Sequence, residues 1–114
     1  MYFKMKSTPE IEAKLEILTE MHQNKWRPAI INLLLEHESM RFGEIKRELD
    51  ITPKVLTDHL KWLEQHQFIN REAFAEVPPH VEYSLTEIGQ QLGPVHEKMR
   101  MWAEFYINHV DSES

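Results

Sequence analysis

The alternation of apolar and polar positions changes period along the chain, and the changes divide it into segments. From Pro9 the pattern is helical: Ile11, Leu15, Leu18 and His22 fall on one side, with Glu16, Glu20 and Lys14 opposite. Thr8 is placed to cap this helix and Pro9 to open it. Gln23-Asn24-Lys25 interrupts the pattern, and Trp26-Arg27-Pro28 leads into the apolar run Ala29 to His37, expected to be the most buried helix through Ile30, Ile31, Leu33, Leu34 and Leu35. Met40-Arg41-Phe42 is a candidate short strand.

The most informative stretch is Phe42 to Trp62. Phe42, Ile45 and Leu49 mark a short helix from about residue 43, Asp50-Ile51-Thr52 a turn with Ile51 plugging the corner, and Thr52-Pro53 a second helix start. The second helix carries an inward stripe of Leu56, Leu60 and Leu63, flanked by Val55 and Trp62. Its other face holds Pro53, Lys54, Thr57, Asp58 and Lys61. Two short helices around a tight turn, the second with compact polar side chains near its start, have the layout of a helix-turn-helix over residues 43–66. Two ordinary amphipathic helices of a small helical protein would give the same pattern, so the surroundings decide.

Those surroundings are β-like. Residues 68–75 suit a strand, and Val81, Tyr83 and Leu85 alternate with Glu82 and Ser84. Between them, Glu76-Val77-Pro78-Pro79-His80 forms a stiff tip, because proline donates no ladder hydrogen bond. A hairpin over residues 68–85 directly after the second helix makes a wing. Thr86 then caps a short helix, Gly93-Pro94 is expected to break it, and residues 95–109 form a last helix with Met99, Trp102, Phe105 and Tyr106 on one broad face. The expected class is mainly α with a small β-hairpin, an α+β winged helix-turn-helix in one domain over residues 1–114. Residues 1–8 are expected to form a loose arm, residues 111–114 a polar tail, and the helices at 9–22 and 95–109 to serve dimerisation.

Composition narrows the chemistry. With 114 residues, 41% hydrophobic and 28% charged, the chain fits a single soluble domain, and no apolar run is long enough to span a bilayer. The start of the chain lacks a signal-peptide pattern, so a cytoplasmic location is expected. The absence of cysteine removes thiol nucleophiles, disulfides, cysteine-based zinc sites and thiol redox sensing from these residues. Seven histidines invite a metal reading, but His59 and His66 lie about two helical turns apart with no carboxylate completing a compact set. No nucleophile elbow, phosphate loop or metalloprotease pattern occurs, so no catalytic residue, metal or cofactor is expected.

The formal net charge of −6 is unusual for a nucleic-acid binder, but it is unevenly spread. Residues 40–61 set Arg41, Lys46, Arg47, Lys54 and Lys61 against Glu44, Glu48, Asp50 and Asp58. Residues 62–86 set Arg71 alone against Glu64, Glu72, Glu76 and Glu82. The least acidic region is the one assigned to DNA.

The segments KWRPAIINLLL, RFGEIKREL, ITPKVLTDHLKWLEQHQFINRE and EVPPHVEYSLTEIGQQL together resemble the HxlR-type family of bacterial winged helix-turn-helix transcription regulators, from about Lys25 to the end of the last helix. The resemblance implies a homodimer, held by the first and last helices, on a pseudo-palindromic operator. Carried over by position, it puts Thr52, Pro53, Lys54, Thr57, Asp58 and Lys61 at the recognition helix, Pro78, Pro79 and His80 at the wing tip, and Arg41 and Lys46 near the DNA backbone. The chain departs from the family pattern at Asp58, at His80, at Gln23-Asn24 in place of glycines, and in lacking a sensing cysteine.

Independently of the family, Ile11, Leu15 and Leu18 with Met99, Trp102, Phe105 and Tyr106 form apolar faces left over once a wing domain has its core. A second subunit across a two-fold axis is the simplest cover. The expected function is a sequence-specific DNA-binding regulator, with repression by promoter occlusion the simplest outcome. The alternative is a winged-helix module that binds a protein and no DNA. A small-molecule effector among Met99, Trp102 and Tyr106 competes with plain interface core for those residues.

Overall fold

The computed structural model describes residues 6–110, so the start of the expected arm and the expected polar tail at 111–114 lie outside the described residues. The elements in order are α1 (Pro9–Met21), α2 (Trp26–Leu35), β1 (Met40–Arg41), α3 (Phe42–Leu49), α4 (Pro53–Gln65), β2 (Ile69–Phe74), β3 (His80–Leu85), α5 (Glu87–Gln90) and α6 (Leu92–Val110).

The core forms where the apolar stripes meet. Ile30, Ile31 and Leu34 of α2, Ile45 of α3 and Leu56, Leu60 and Leu63 of α4 are almost wholly buried, and Ile51 plugs the α3–α4 corner at 4% exposure. Phe68, Ile69, Tyr83 and Met40 close this core from the sheet side, Met21 from α1 and Leu92 from α6. Leu35, expected inside, is instead 39% exposed, because it lies at the end of α2 as the helix leaves the core.

The sheet is antiparallel with order β1-β3-β2. Met40 pairs with Tyr83 and Arg41 with Glu82, while the hairpin register runs from Ile69 opposite Leu85 to Phe74 opposite His80. Placing buried Tyr83 opposite Met40 on the central strand fastens the wing to the helices.

Several helix ends differ from expectation, each for a local reason. Thr8 Oγ1 accepts from the Ile11 backbone N–H at 3.2 Å, as a capping threonine should. Thr52 has the extended backbone of a cap, but its side chain makes no capping bond, and Pro53 alone opens α4. The unforeseen cap is Asn24, whose Oδ1 accepts from the N–H groups of both Trp26 and Arg27 at 2.9 Å. At the end of α4, Gln67 adopts φ 65°, and Phe68 N–H donates to Leu63 O at 2.9 Å, closing a Schellman-type turn without glycine. Gly93-Pro94 does not break the chain after α5 but lies in the first turn of α6, where a missing proline N–H leaves no hydrogen bond unmade. Gly89 is fixed sterically: a Cβ there would overlap the Phe68 carbonyl oxygen.

α1 and the far half of α6 stand apart from this body. α1 contributes one fully buried side chain, Met21, and every residue from 97 to 110 is exposed. The molecule accordingly measures 57 × 39 × 24 Å.

Candidate nucleic-acid interface

α4 is positioned by its leucine stripe. Because Leu56, Leu60 and Leu63 point into the core, Pro53, Lys54, Asp58 and Lys61 are exposed on the opposite side, and Thr57, half-buried, lies at the margin. Lys54 Nζ and Asp58 Oδ2 are 3.5 Å apart, one helical turn along, with side chains 87% and 60% exposed. A pair this open to water contributes little to stability and leaves Lys54 able to exchange its partner. Lys46, Lys61, Arg41 and Arg47 form no ion pair among the described residues. The face offers two ammonium groups around a hydroxyl and a carboxylate, suited to phosphate oxygens and base edges in a major groove.

Beside it, Arg41 and Arg47 flank a cleft of about 470 Å³ between the start of α3 and the wing, with Pro79, His80 and Val81 on its far side. Arg41 N–H donates to Glu44 Oε1 at 2.8 Å, so this carboxylate holds the helix start. Arg47 was not singled out from the sequence, since spacing alone does not say which side of a two-turn helix faces a wing. Lys46 does not line this cleft.

The wing differs from expectation at His80, which the sequence places at the tip. Pro78 and Pro79 are exposed in the turn, but His80 is the first residue of β3, and its side chain is only 11% exposed. Its ring stacks on Phe74 at 4.8 Å, Nε2 lies 2.9 Å from Glu82 Oε2, and Nδ1 lies 3.6 Å from Glu76 Oε2. Ser39 Oγ donates to the other Glu82 oxygen at 2.8 Å. The His80 and Ser39 hydrogen bonds hold the Glu82 carboxyl below the ordinary carboxylate range. His80 is therefore drawn back from the tip by the carboxylates around it.

A different set of contacts ties α4 to the rest. Arg27 lies with its guanidinium carbon 4.0 Å from the Trp62 ring centroid, and His59 Nδ1 accepts from Arg27 Nε at 3.3 Å. Burial, then the Arg27 charge, keep the His59 pKa below the usual histidine value, with Asp58 opposing them. His59 is thus neutral and able to accept. His59 and His66 belong to packing: His66 stacks on Trp62 at 4.1 Å and hydrogen-bonds the Trp62 carbonyl. Among the described residues, no three metal-ligating side chains converge.

Against known proteins, the HxlR-like helix-turn-helix family model matches residues 21–111. The chain belongs to the HxlR-type family. Its relatives include an uncharacterized HTH-type transcriptional regulator of Methanothermobacter thermautotrophicus, 35% identical over 104 residues, covering 90% of this chain and 79% of that protein. YtcD of Bacillus subtilis, also described as an HTH-type transcriptional regulator, is 37% identical and covers 94% of this chain and 82% of its own length. Among solved structures, the reduced transcriptional regulator YodB of B. subtilis superposes with a TM-score of 0.72 at 30% identity, covering 93% of this chain and 97% of that one. The oxidized redox regulator HypR gives a TM-score of 0.70 at 35% identity, covering 80% and 94%. The HxlR-type chain is thus a DNA-binding transcriptional regulator with a winged helix-turn-helix fold. Unlike a protein that senses oxidants through thiols, it has no cysteine among its 114 residues. No helix of the described residues is long and apolar enough to cross a membrane.

Proposed function

We propose that this HxlR-type regulator acts as a homodimer on a pseudo-palindromic operator and represses by occluding a promoter. The observation that carries the DNA-reading half is the outward face of α4, where Lys54, Thr57, Asp58 and Lys61 lie opposite a buried leucine stripe. Lys54 and Lys61 meet phosphate or guanine, Thr57 a phosphate or thymine methyl, and Asp58 a cytosine amine. Thr52 and Pro53 bring the start of α4 against the backbone, Arg41 and Lys46 add charge beside it, and the Pro78-Pro79 tip touches the neighbouring groove. His80 supports that tip from behind, as its packing on Phe74 favours.

The dimer half is supported by the apolar face of α6, with Met99, Trp102, Phe105 and Tyr106 between 49% and 63% exposed, and by Ile11, Leu15 and Leu18 of α1, which line an apolar groove beside α5 and the start of α6. A two-fold axis through these faces would set the two α4 helices about 34 Å or a multiple of it apart, so that both meet one side of the duplex.

Electrophoretic shift of genomic fragments, repeated at two salt concentrations, tests the reading. Sequence-selective retardation that weakens with salt is expected. No shift of any fragment, with the protein folded, would overturn it in favour of a protein-binding module.

A further inference from the structure

α1 and α4 belong to the two halves of the proposed activity, α1 to the subunit contact and α4 to the DNA contact. α1 buries one side chain fully, Met21 at its last residue, and packs Ile17 and Leu18 partly against the core. Arg27 makes polar contact with both helices. Its Nη1 donates to the Glu20 carbonyl near the end of α1 at 2.8 Å, and its Nε donates to His59 of α4 at 3.3 Å. Its plane lies over Trp62 of α4 at 4.0 Å. Trp62 in turn stacks on His66 and Phe68, at 4.1 and 5.9 Å. The backbone of Arg27 is itself fixed, because Asn24 Oδ1 takes its N–H.

Each of these contacts uses a different property of the guanidinium. The carbonyl at the negative end of α1 takes a charged donor. The neutral imidazole takes a second N–H in a different direction of the same rigid plane, and the indole takes the flat face. A planar group bonded at its edge to both helices and seated over a ring of the second restricts the angle between them more than a flexible point charge would.

We propose that Arg27 is a positioning residue that sets the angle of the recognition helix relative to the subunit contact, and so fixes the spacing between half-sites that the dimer accepts. The proposal rests on the two-fold dimer reading given above. The lever is long enough to matter. α4 has 13 residues. A helix of that size is roughly 20 Å long, so a tilt of about 10° moves its far end by about 3.5 Å, close to one base-pair step.

The test is in vitro selection of bound sequences from a random duplex library, with the unaltered protein and with Arg27→Met. Sedimentation and thermal melting of both proteins accompany it. Arg27→Met keeps the stem over Trp62 but loses both directional bonds. The expected result is one dominant half-site spacing for the unaltered protein. The variant remains dimeric, selects the same half-site sequence, and spreads over spacings that differ by a base pair or more. The same single spacing from both proteins overturns the proposal while leaving the dimer reading intact. Selection of lone half-sites by the unaltered protein overturns the dimer reading and this proposal with it. Should Arg27→Met fail to fold, Arg27→Lys makes the same comparison, since it keeps the charge and stem but not the planar fork. A general loss of stability lowers affinity for all spacings alike, so broadened spacing separates positioning from mere support.

Discussion

α4 and α6 are both amphipathic helices, of 13 and 19 residues, and they hide opposite faces. α4 buries three leucines and shows water its lysines, aspartate and threonine. α6 buries Leu92 at its start and then shows water Trp102 at 63%, Phe105 at 60% and Tyr106 at 50% exposure. A polar outward face is stable as it stands and can exchange water for phosphate. An aromatic outward face is not, because apolar area on this scale gains free energy from any close-packed cover. The two surfaces therefore suit different partners, nucleic acid for α4 and protein for α6.

The strongest way to break this comparison is to attack the face of α4 that it treats as purely structural. Leu60→Ala should destabilise the chain by about 2–5 kcal/mol, through lost burial and a residual cavity. Urea unfolding followed by circular dichroism measures it. A loss below about 1 kcal/mol, little more than a surface substitution costs, would mean α4 is not seated as described.

Next in size is the aromatic face. Removing Trp102 and Phe105 together, as Trp102→Ala with Phe105→Ala, should weaken dimerisation by about 2 kcal/mol or more, as for buried aromatic anchors. Helical content and the melting of the dilute chain should stay nearly unchanged. Sedimentation over a concentration series reads the first, and unchanged association would remove α6 from the subunit contact.

Smaller again is the polar face. Lys54→Ala and Lys61→Ala should each reduce the slope of log affinity against log salt by about 1, the value of one phosphate contact, without altering thermal stability. Anisotropy titrations at several salt concentrations decide it, and unchanged slopes would take both lysines off the DNA.

The smallest effect is a pH response common to both helices. Burial, then Arg27, depress the His59 pKa, and burial, then His22, depress that of His96 in α6. A histidine with a lowered folded pKa contributes stability fully above its ordinary value of 6.5 and loses it as pH falls through the folded pKa. The melting temperature should therefore fall from about pH 7.5 to about pH 5.5, across the range of ordinary histidine titration. His59→Gln with His96→Gln should flatten that fall. His22 Nδ1 lies 2.8 Å from Leu18 O, and its Nε2 shares a hydrogen bond with His96 Nε2 at 2.9 Å. His96 Nδ1 lies 2.6 Å from Asn32 Oδ1.

Much of this was legible in the chain because period and burial coincide where one helix has one partner. The spacing of Leu56, Leu60 and Leu63 was enough to orient α4, and the alternation around Tyr83 was enough to orient β3. What was hidden depends on neighbours distant in sequence. Thr52 has the right residue type for a cap yet makes no capping bond, while Asn24, in a segment taken as a simple break, makes two. Gly93-Pro94 looks like a helix stop, and only its phase relative to α6 makes it a helix start. His80 follows two prolines and so looks like a tip, but its register opposite Phe74 and its reach to Glu82 are properties of the folded hairpin. In sequence, Arg27 reads only as part of the approach to α2, since nothing local announces contacts to residues 20, 59 and 62.

The most direct test of the central claim is a hydroxyl-radical footprint of the unaltered protein on a selected genomic fragment. Two α4 helices presented by a symmetric dimer should protect two short segments on one side of the duplex, centred about 34 Å or a multiple of it apart. A single protected segment, or protection that follows no sequence, would contradict the account.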